Sequence, residues 1–592
     1  RDRRVFKLKE RNFYVSEIAQ VFRDFNLKNF IKIRINDSAI MSHPTNESVL
    51  AYNAIFATWC ILSIKGSYKN ISFSRNEMIN LDGIGQFVLC VCRLLNKNSS
   101  YKFIRNPVIY TVLYYIFMID LHILILFELF DLIAHFLCMQ MMKHGWDNYV
   151  RYAWGKNELR PISKRGHSAS IFGASNMGAT IVDGLDTLYI MGLHDEFKQG
   201  RDWIAENLDF DINSEISLFE TNIRFMGSLL ACYALTGDVM FRDKAVQLGE
   251  RMLPAFQTET GIPHSLINLH TGASKNYGWA SSGCSILSEI GTMHLEFTYL
   301  SDITGNPVFK SKVENVRKVL KNLEKPKGLY PNYIHPKTGK WGQHHMSLGG
   351  LGDSFYEYLL KAWIQSGKDD VEARQMYDEA IAAIDQHMIK TSQGKLLYVS
   401  DLKYDRLEHK MGHLACFAGG MFALGAKTQE NELSERYMTI AAGLTNTCHE
   451  SYDRSYTKLG PEAFHFIEGN EAKSLKNGEK YYILRPETFE SYFVMWRLTK
   501  DPKYREWGWE AVQALEKYCR VPGGFTGLHN VYLVDPPQDD VQQSYFFAET
   551  LKYLYLLFSD DDLINLNDWV FNSEAHVLPI RGNPLYRASP SL

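Results

Sequence analysis

Acidic residues recur inside apolar, helix-like stretches of this sequence. The stretch LGGLGDSFYEYLLKAW, residues 348–363, sets Asp353 and Glu357 four positions apart among Phe, Tyr and Leu. Residues four apart lie on the same face of a helix, so this face would bury both carboxylates. Burial of an unpaired charge costs several kcal/mol. Carboxylates held in this way suit two kinds of chemistry, which are acid–base catalysis and the binding of a hard cation.

Ionisable residues stand near the corresponding point of each apolar helical pattern from residue 180 onward. The set comprises Asp183, Asp186, Glu220, Arg224, Glu296, Asp353, Glu357, His413, Arg485, Glu487, Glu490 and Glu549. Each one alone could cap a helix or favour its dipole. Their repetition in seven successive elements predicts a single cavity that collects them. Such a cavity could divide its carboxyl groups into a proton donor and a proton acceptor, the pair that inverting hydrolysis of a glycosidic bond requires.

Seven helical pairs are needed to position these residues. From residue 141 onward, helical periodicities alternate with short polar breaks at residues 192–197, 235–241, 303–309, 366–372, 425–432, 498–504 and 558–564. The helix before each break is the more apolar and the helix after it carries charges, so the first is buried and the second faces water. This pattern predicts an all-α fold, an (α/α)7 barrel. The alternative, an open α-solenoid, needs polar caps at its ends that the sequence lacks.

Aromatic side chains beside the acids have two interpretations. Phe219, Phe297, Phe489 and Phe547 could offer flat faces on which a sugar ring packs, or they could belong to the core. Because a Phe in an apolar helix is usually buried, the core is the favoured role for each of them.

The first 140 residues differ from the remainder of the chain. They lack sustained periodicity apart from the apolar segment 107–127, whose length suits a membrane span although it contains Asp120 and His122. We expect an N-terminal extension over residues 1–140 with a candidate membrane segment, and a catalytic domain over residues 141–592. Of the 64 Lys and Arg and the 67 Asp and Glu, this second part holds 47 and 56. Its acidic excess argues against nucleic acid as a partner.

Nine cysteines are spread over the 592 residues, and none forms a CxxC zinc pattern. Cys416 and Cys448 lie near the ends of adjacent helical patterns that could pack side by side. From the residues alone, a disulfide between them and a pair of buried free thiols are both open.

Six long motifs follow one another between residues 141 and 580. They read GATIVDGLDTLYIMG, LFETNIRFMGSLLACY, LGDSFYEYLLKAW, HKMGHLACFAGGMFALGA, YYILRPETFESYFVMWRLT and FNSEAHVLPI. In order and spacing they resemble the class I α-1,2-mannosidases, glycoside hydrolase family 47. The resemblance implies an (α/α)7 barrel closed at one end by a small C-terminal β-hairpin plug. It also implies a monomeric, inverting, Ca2+-dependent enzyme that removes terminal α-1,2-linked mannose from high-mannose N-glycans on glycoproteins.

The resemblance also implies roles for individual residues. Glu220 matches the general acid, Asp353 the second catalytic acid and Glu487 the base. The residues that match pocket positions around the sugar and the cation are Arg224, Glu296, Leu351, Glu357, His413, Arg485, Glu490 and Glu549. The Cys416–Cys448 pair corresponds to the family's disulfide, which implies an oxidising lumen.

Two positions carry less common residues within this resemblance. Ser573, in NSEAH, stands where the family's calcium-binding residue is Thr; it keeps the hydroxyl and the carbonyl, so we expect intact but weaker binding. Leu351 stands where endoplasmic-reticulum-type members carry Arg, which is the Golgi-type pattern with a roomier pocket. The neighbouring Gly350 and Gly352 would leave space for glycan or allow close packing of the loop. We expect a Golgi membrane protein with a lumenal catalytic domain, with the endoplasmic reticulum as second choice.

Two rival functions stay open at this point. A glycan-binding quality-control lectin of the same fold would use the pocket with little or no turnover, although all three catalytic acids are present. An α/α-toroid lyase or a prenyltransferase-like enzyme would need a basic or zinc-binding site, and the motifs would then be coincidences.

Overall fold

The computed structural model describes residues 131–168 and 170–589. The candidate membrane segment, residues 107–127, lies outside the described residues. Within the described part, no helix is both long enough and apolar enough to cross a membrane. The domain division at residue 140 stays a prediction, and the first described helix runs across it.

Helices form most of the regular structure in the described residues. In chain order they are α1 (131–153), α2 (Ala179–Ile190), α3 (His194–Asn207), α4 (Leu218–Glu220 and, after a π-helical turn at Thr221–Met226, Gly227–Thr236), α5 (Val239–Met252), α6 (Leu287–Gly291), α7 (His294–Thr304), α8 (Val308–Asn322), α9 (Asp353–Gln365), α10 (Val371–His387), α11 (Ala418–Thr428), α12 (Ser434–Asp453), α13 (Glu487–Thr499), α14 (Lys503–Ala514) and α15 (Leu551–Leu557). Further π-helical segments follow α14 at Leu515–Cys519 and precede α15 at Phe546–Thr550.

The helices alternate between a buried inner ring and an outer ring that faces water. Helices α2, α4, α7, α9, α11, α13 and α15 are buried along most of their length, whereas the outer helix α3 buries only Gly200 and Ile204. Each inner helix contacts the next along the chain, and the π-helical segment before α15 contacts α2. The ring is therefore closed, which excludes the open solenoid and confirms the predicted (α/α)7 barrel.

The seventh outer position is filled by α1, from the beginning of the described chain. His135 of α1 stacks on Tyr555 of α15 with ring centroids 3.9 Å apart, and Asp131 pairs with Arg505 of α14 at 2.5 Å. The sequence pattern predicts an outer helix after the break at 558–564. That detail is wrong, because the chain there forms turns and then a β-hairpin that enters the barrel.

Short strands form antiparallel sheets of two or three strands. They are β1 (Glu158–Arg160), β2 (Arg165–His167), β3 (Glu215–Ser217), β4 (Leu266–Asn268), β5 (Ser274–Lys275), β6 (Ser285–Ile286), β7 (Tyr333–Ile334), β8 (His345–Met346), β9 (Ile389–Thr391), β10 (Leu397–Val399), β11 (Asp401–Lys403), β12 (Arg406–Glu408), β13 (Lys410–Gly412), β14 (Ala463–Ile467), β15 (Asn470–Lys473), β16 (Arg520–Val521), β17 (Gly524–Phe525), β18 (Trp569–Phe571) and β19 (Val577–Pro579). Strand β3 runs directly into the inner helix α4, and β6 runs into α6, the short helix before the inner helix α7.

The last two strands form the predicted plug. Phe571 of β18 pairs with Val577 of β19, and all six strand residues are buried. Strand β18 contacts α9 and β19 contacts α4, so the hairpin lies inside the ring of inner helices. It closes one end of the barrel axis and carries its turn toward the other end.

The predicted disulfide is present. Cys416 lies in the 3-10 turn His413–Phe417 before α11, and Cys448 lies in α12. Both residues are fully buried, and their Cα atoms are 5.8 Å apart. The bond ties an outer helix to the start of an inner one.

The placement of α1 predicts a large difference between two substitutions on that helix. Trp146 is 0% exposed and its ring centroid lies 6.3 Å from that of Phe547, so Trp146→Ala leaves a cavity in the core. We expect it to lower the free energy of unfolding by about 3–5 kcal/mol. Leu132 is 49% exposed, and Leu132→Ala should cost at most about 0.5 kcal/mol. Denaturant unfolding of both variants tests this prediction. Equal, small effects would contradict the placement of α1 in the barrel.

Candidate active site

The predicted ionisable residues lie where the inner helices begin. Asp353 and Glu487 are the first residues of α9 and α13, and Glu220 lies in the first turn of α4. His413 opens the 3-10 turn before α11, and Glu549 lies in the π-helical segment before α15. Because each outer helix returns the chain to the same end of the barrel, these starts converge there.

The π-helical turn of α4 fixes the direction of Glu220. Arg224 Nε donates to Glu220 Oε2 at 2.8 Å, and Arg224 Nη1 lies 3.2 Å from Glu574 Oε1. The same Nη1 donates to Ser544 Oγ at 2.9 Å. Arg224 is buried, whereas the Glu220 side chain keeps 22% of its surface exposed. Glu220 therefore faces the cavity from a rigid support, and π-bulges frequently occur at such sites.

Asp353 is an acid whose pKa lies above its ordinary value. Its Oδ1 accepts a hydrogen bond from the backbone N–H of Ser354 at 2.8 Å. Burial raises the pKa of Asp353 to about 7, opposed by Ser354 and assisted by the charges of Glu357 and Glu487.

Glu487 has the opposite electrostatic environment. His413 Nδ1 lies 2.6 Å from Glu487 Oε2, and His413 Nε2 lies 2.6 Å from Tyr452 Oη. Burial alone would raise the pKa of Glu487, but the charge and hydrogen bond of His413, helped by Arg485, bring it below its ordinary value. Two neighbouring acids with pKa values driven apart can serve as proton donor and proton acceptor.

Lys361 is the buried counter-ion of the acids on α9 and α13. It forms an ion pair with Glu357, and its Nζ lies 3.8 Å from Glu490 Oε1. Burial raises the pKa of Glu490 to about 8, while the charge of Lys361 acts in the opposite direction. One ammonium group thus serves two carboxyl groups, and this part of the cavity is short of positive charge.

Two further acids lie deeper in the same cavity. Burial, followed by the charge of Glu574, raises the pKa of Glu549 well above its usual range. Glu296 is fully buried and accepts hydrogen bonds from Tyr358 Oη at 2.6 Å and Asn572 Nδ2 at 2.8 Å. Burial raises its pKa, and these hydrogen bonds oppose the shift.

Arg485 lies at the rim and is held by an acid outside the predicted set. Its Nε and Nη2 donate to the two carboxylate oxygens of Glu462 at 2.6 and 2.8 Å. A bidentate pair of this kind fixes the plane of the guanidinium. From there Arg485 lowers the pKa of Glu487.

The turn between β18 and β19 places Ser573 among these acids. The Ser573 N–H donates to Tyr358 Oη at 3.3 Å, and Tyr358 Oη in turn donates to Glu296. The surrounding donors are hydroxyl, carbonyl and carboxylate oxygens, which suit a hard cation. Within the described residues, no three His, Cys, Asp or Glu side chains form a ready set of direct ligands. A cation here would rest on Ser573 and on water molecules held by the acids.

Two predicted members of the cavity lie beneath it instead. Asp183 and Asp186 are fully buried, and they lie 3.1 and 3.2 Å from the two ring nitrogens of His576. The expectation that they face the cavity is wrong, because both side chains are completely removed from solvent, although Asp183 Oδ2 lies 3.5 Å from Arg224 Nη1. They contact the plug.

The aromatic residues beside the acids belong mainly to the core. Phe297, Phe489 and Phe547 are fully buried, which leaves no face for a sugar ring. Phe219 is half-buried and is the one of the four with accessible surface.

Several residues of the site were missed from the sequence. Burial raises the pKa of Glu158 to about 7 and that of Glu289 to about 8, and the charge of Glu220 contributes to both shifts. Glu289 in α6 and Lys361 in α9 carry the same signal as the others, a charge inside an apolar helix. Glu158 lies in a strand with no helical pattern around it, so no such signal marks it.

The glycine loop before Asp353 has two different explanations at two positions. A Cβ on Gly352 would lie 2.2 Å from the carbonyl oxygen of Ser347, so close packing requires this glycine. A Cβ on Gly350 would meet only Leu414 Cδ1, at 3.4 Å, so packing does not require it. Leu351 between them has φ 80°.

This difference predicts unequal effects of two alanines. Gly352→Ala forces the loop to move and should lower the free energy of unfolding by about 1–3 kcal/mol. Gly350→Ala, the matched control, should change it by about 0.5 kcal/mol or less. Thermal unfolding of both variants checks the expectation. A tolerated Gly352→Ala would show that close packing is not the reason for this glycine.

Comparisons with known proteins assign this chain to a family. The model of glycosyl hydrolase family 47 matches residues 141–580. The chain is 66% identical over 453 residues to mannosyl-oligosaccharide alpha-1,2-mannosidase IA of Drosophila melanogaster, covering 76% of this chain and 68% of that protein. It is 60% identical over 456 residues to mannosyl-oligosaccharide 1,2-alpha-mannosidase IB of Homo sapiens, covering 76% and 71%. The solved alpha-1,2-mannosidase from Trichoderma reesei matches with a TM-score of 0.69 and 27% identity, over 76% of this chain and 99% of that one. The chain belongs to glycosyl hydrolase family 47.

Proposed function

We propose that this protein is a mannosyl-oligosaccharide 1,2-α-mannosidase that hydrolyses terminal α-1,2-linked mannose of high-mannose N-glycans with inversion. The observation that carries the proposal is the contrast between Asp353, whose pKa burial raises to about 7, and Glu487, whose pKa the contact with His413 lowers. Inverting hydrolysis requires this contrast in one cavity. Membership of the family and the names of its close relatives supply the substrate class.

The proposed roles follow from the surroundings of each acid. Glu220, on its Arg224 support, gives one proton to the leaving glycosidic oxygen, and Asp353 is the second acid on this side. Glu487 takes a proton from the attacking water, whose oxygen bonds to the anomeric carbon as the glycosidic bond breaks. The products are β-mannose and the shortened oligosaccharide. Glu220 is proposed as the general acid, with Asp353 as the second acid.

The donors around Ser573 fit Ca2+. The Ser573 hydroxyl and carbonyl would bind the ion directly, and Glu296, Glu357, Glu490 and Glu549 would hold its water molecules. A bound ion would supply the positive charge that this end of the cavity lacks and would contact sugar hydroxyls. Arg224, Leu351, His413 and Arg485 complete the proposed binding surface.

The cellular setting is proposed from the same residues. A buried disulfide between Cys416 and Cys448 fits an oxidising compartment. Leu351 at the loop fits the Golgi-type subgroup, so we propose the Golgi lumen, with the endoplasmic reticulum as second choice. A single chain carries every residue used here, which fits a monomer. The acidic excess of the domain argues against nucleic acid as a partner.

A lectin of the same fold is the second candidate function. It would keep the pocket residues that hold a glycan but would not need Asp353 and Glu487 to differ in protonation. The direct test incubates the protein with a nine-mannose N-glycan and follows the anomeric form of the released sugar. We expect β-mannose in the presence of calcium and no release after chelation. Released α-mannose, or turnover unaffected by chelation, would contradict the proposal.

The matched variant for this test is Glu487→Gln, which keeps size and removes the base. We expect kcat to fall by about 100-fold or more, with glycan binding retained. Retained binding without any turnover in the parent protein would identify the lectin instead.

The two pKa directions predict the pH dependence of kcat/KM. The rate should fall as pH rises through about 7, where Asp353 loses its proton, and at acidic pH as Glu487 gains one. In His413→Gln, burial of Glu487 is no longer offset by the histidine charge, so the acidic limb should move to higher pH. The basic limb should stay. A shift of the basic limb alone would show that His413 does not act on the base.

A further inference from the structure

The turn at the tip of the plug, residues 572–576, is held by hydrogen bonds of the Asn572 side chain. Asn572 Oδ1 accepts hydrogen bonds from the backbone N–H groups of Glu574 and His576 at 2.9 and 2.8 Å. Its Nδ2 donates to the carbonyl of Ile223 on α4 at 2.9 Å. Ser573, between these anchors, is the one residue of the turn whose side chain keeps exposed surface.

A buried ammonium group holds the opposite side of the same turn. Lys552 of α15 is 0% exposed, and its Nζ donates to the carbonyl of Ala575 at 2.6 Å and to Asp186 Oδ2 at 2.7 Å. Ala575 has φ 60°, the left-handed region that a non-glycine residue adopts only when its surroundings hold it there. Lys552 therefore fixes the strained residue two positions after Ser573.

The neighbouring histidine joins the same cluster to α2. His576 Nε2 lies 3.1 Å from Asp183 Oδ1, and His576 Nδ1 lies 3.2 Å from Asp186 Oδ1. Asp186 thus lies between the ammonium group and the imidazole. All four side chains are completely removed from solvent.

A fully buried ionic cluster is a poor device for stability alone. Desolvation of such charges commonly offsets their attraction, and apolar residues of similar volume often stabilise as well or better. What the cluster achieves here is the precise placement of one backbone turn against α2 and α15. The residue that this turn presents to the cavity is Ser573.

We propose that Lys552, with Asp186 as its counter-ion, is a positioning residue that fixes the Ser573 turn for binding of the divalent cation. The inference rests on the proposed function, since it takes Ser573 as the site of that cation. Lys552 touches neither substrate nor the cation. Outer-shell groups that orient a ligand commonly change metal affinity by about 10–100-fold when they are removed.

Two variants test the proposal. Lys552→Met removes the donor to Ala575 and leaves Asp186 without its ammonium partner. The double variant Lys552→Met with Asp186→Asn removes both charges, so no carboxylate is left uncompensated. Calcium titration by calorimetry should show binding at least tenfold weaker in both variants than in the parent protein. At saturating calcium, kcat should recover to within a few-fold of the parent value, which a general structural defect would not allow.

Asp302→Asn is the matched control. Asp302 is a buried acid that accepts hydrogen bonds from Tyr586 Oη at 2.6 Å and Arg581 Nη2 at 3.0 Å, beyond the plug in the chain. It should lower the melting temperature without changing calcium affinity. Unchanged calcium affinity in the Lys552 variants, or unfolding of both of them at every calcium concentration, would overturn the proposal. Absence of calcium binding in the parent protein would instead contradict the proposed function.

Discussion

The structure depends on one electrostatic constraint. Many carboxyl groups are buried along one barrel axis, and few cationic side chains balance their charge. Each charge must find a partner, or give up its ionisation, because an isolated buried charge costs several kcal/mol. Arg224 forms ion pairs with Glu220 and Glu574, and Lys361 forms ion pairs with Glu357 and Glu490. The remaining imbalance appears as the raised pKa values of Asp353, Glu490 and Glu549.

The buried carboxyl groups differ in their hydrogen-bond and ion-pair partners, and these differences give them different pKa values. Glu487 accepts a contact from the His413 imidazole, whereas Asp353, two inner helices away at the start of α9, has only Ser354 as its local donor. The pKa of a carboxyl group is therefore lowered at one position and raised at the other. The barrel supplies the conditions for this division, since its inner helices begin at one end and admit different neighbours at each start.

The ends of the described chain complete the barrel. Helix α1 occupies the outer position that the seventh inner helix would otherwise leave open, and the β18–β19 hairpin occupies the axis. Both contacts join segments hundreds of residues apart. The pairing of Asp186 with Lys552 is another example, because it connects α2 with α15 and fixes the turn that presents Ser573. Closure of the ring and placement of the Ser573 turn are thus parts of one arrangement.

The sequence by itself determined the helical repeat, the buried acids at helix starts and the family motifs, because these depend on local periodicity and on residue types a few positions apart. It also pointed to the disulfide through the family resemblance. Tertiary structure alone decided that α1 is the seventh outer helix, that Asp183 and Asp186 serve the plug, and that Glu158 joins the acids. Those outcomes depend on contacts between distant segments and on the depth of each residue along the axis. Contacts between distant segments and depth along the axis leave no periodic pattern in the local sequence, so they could not be predicted from it.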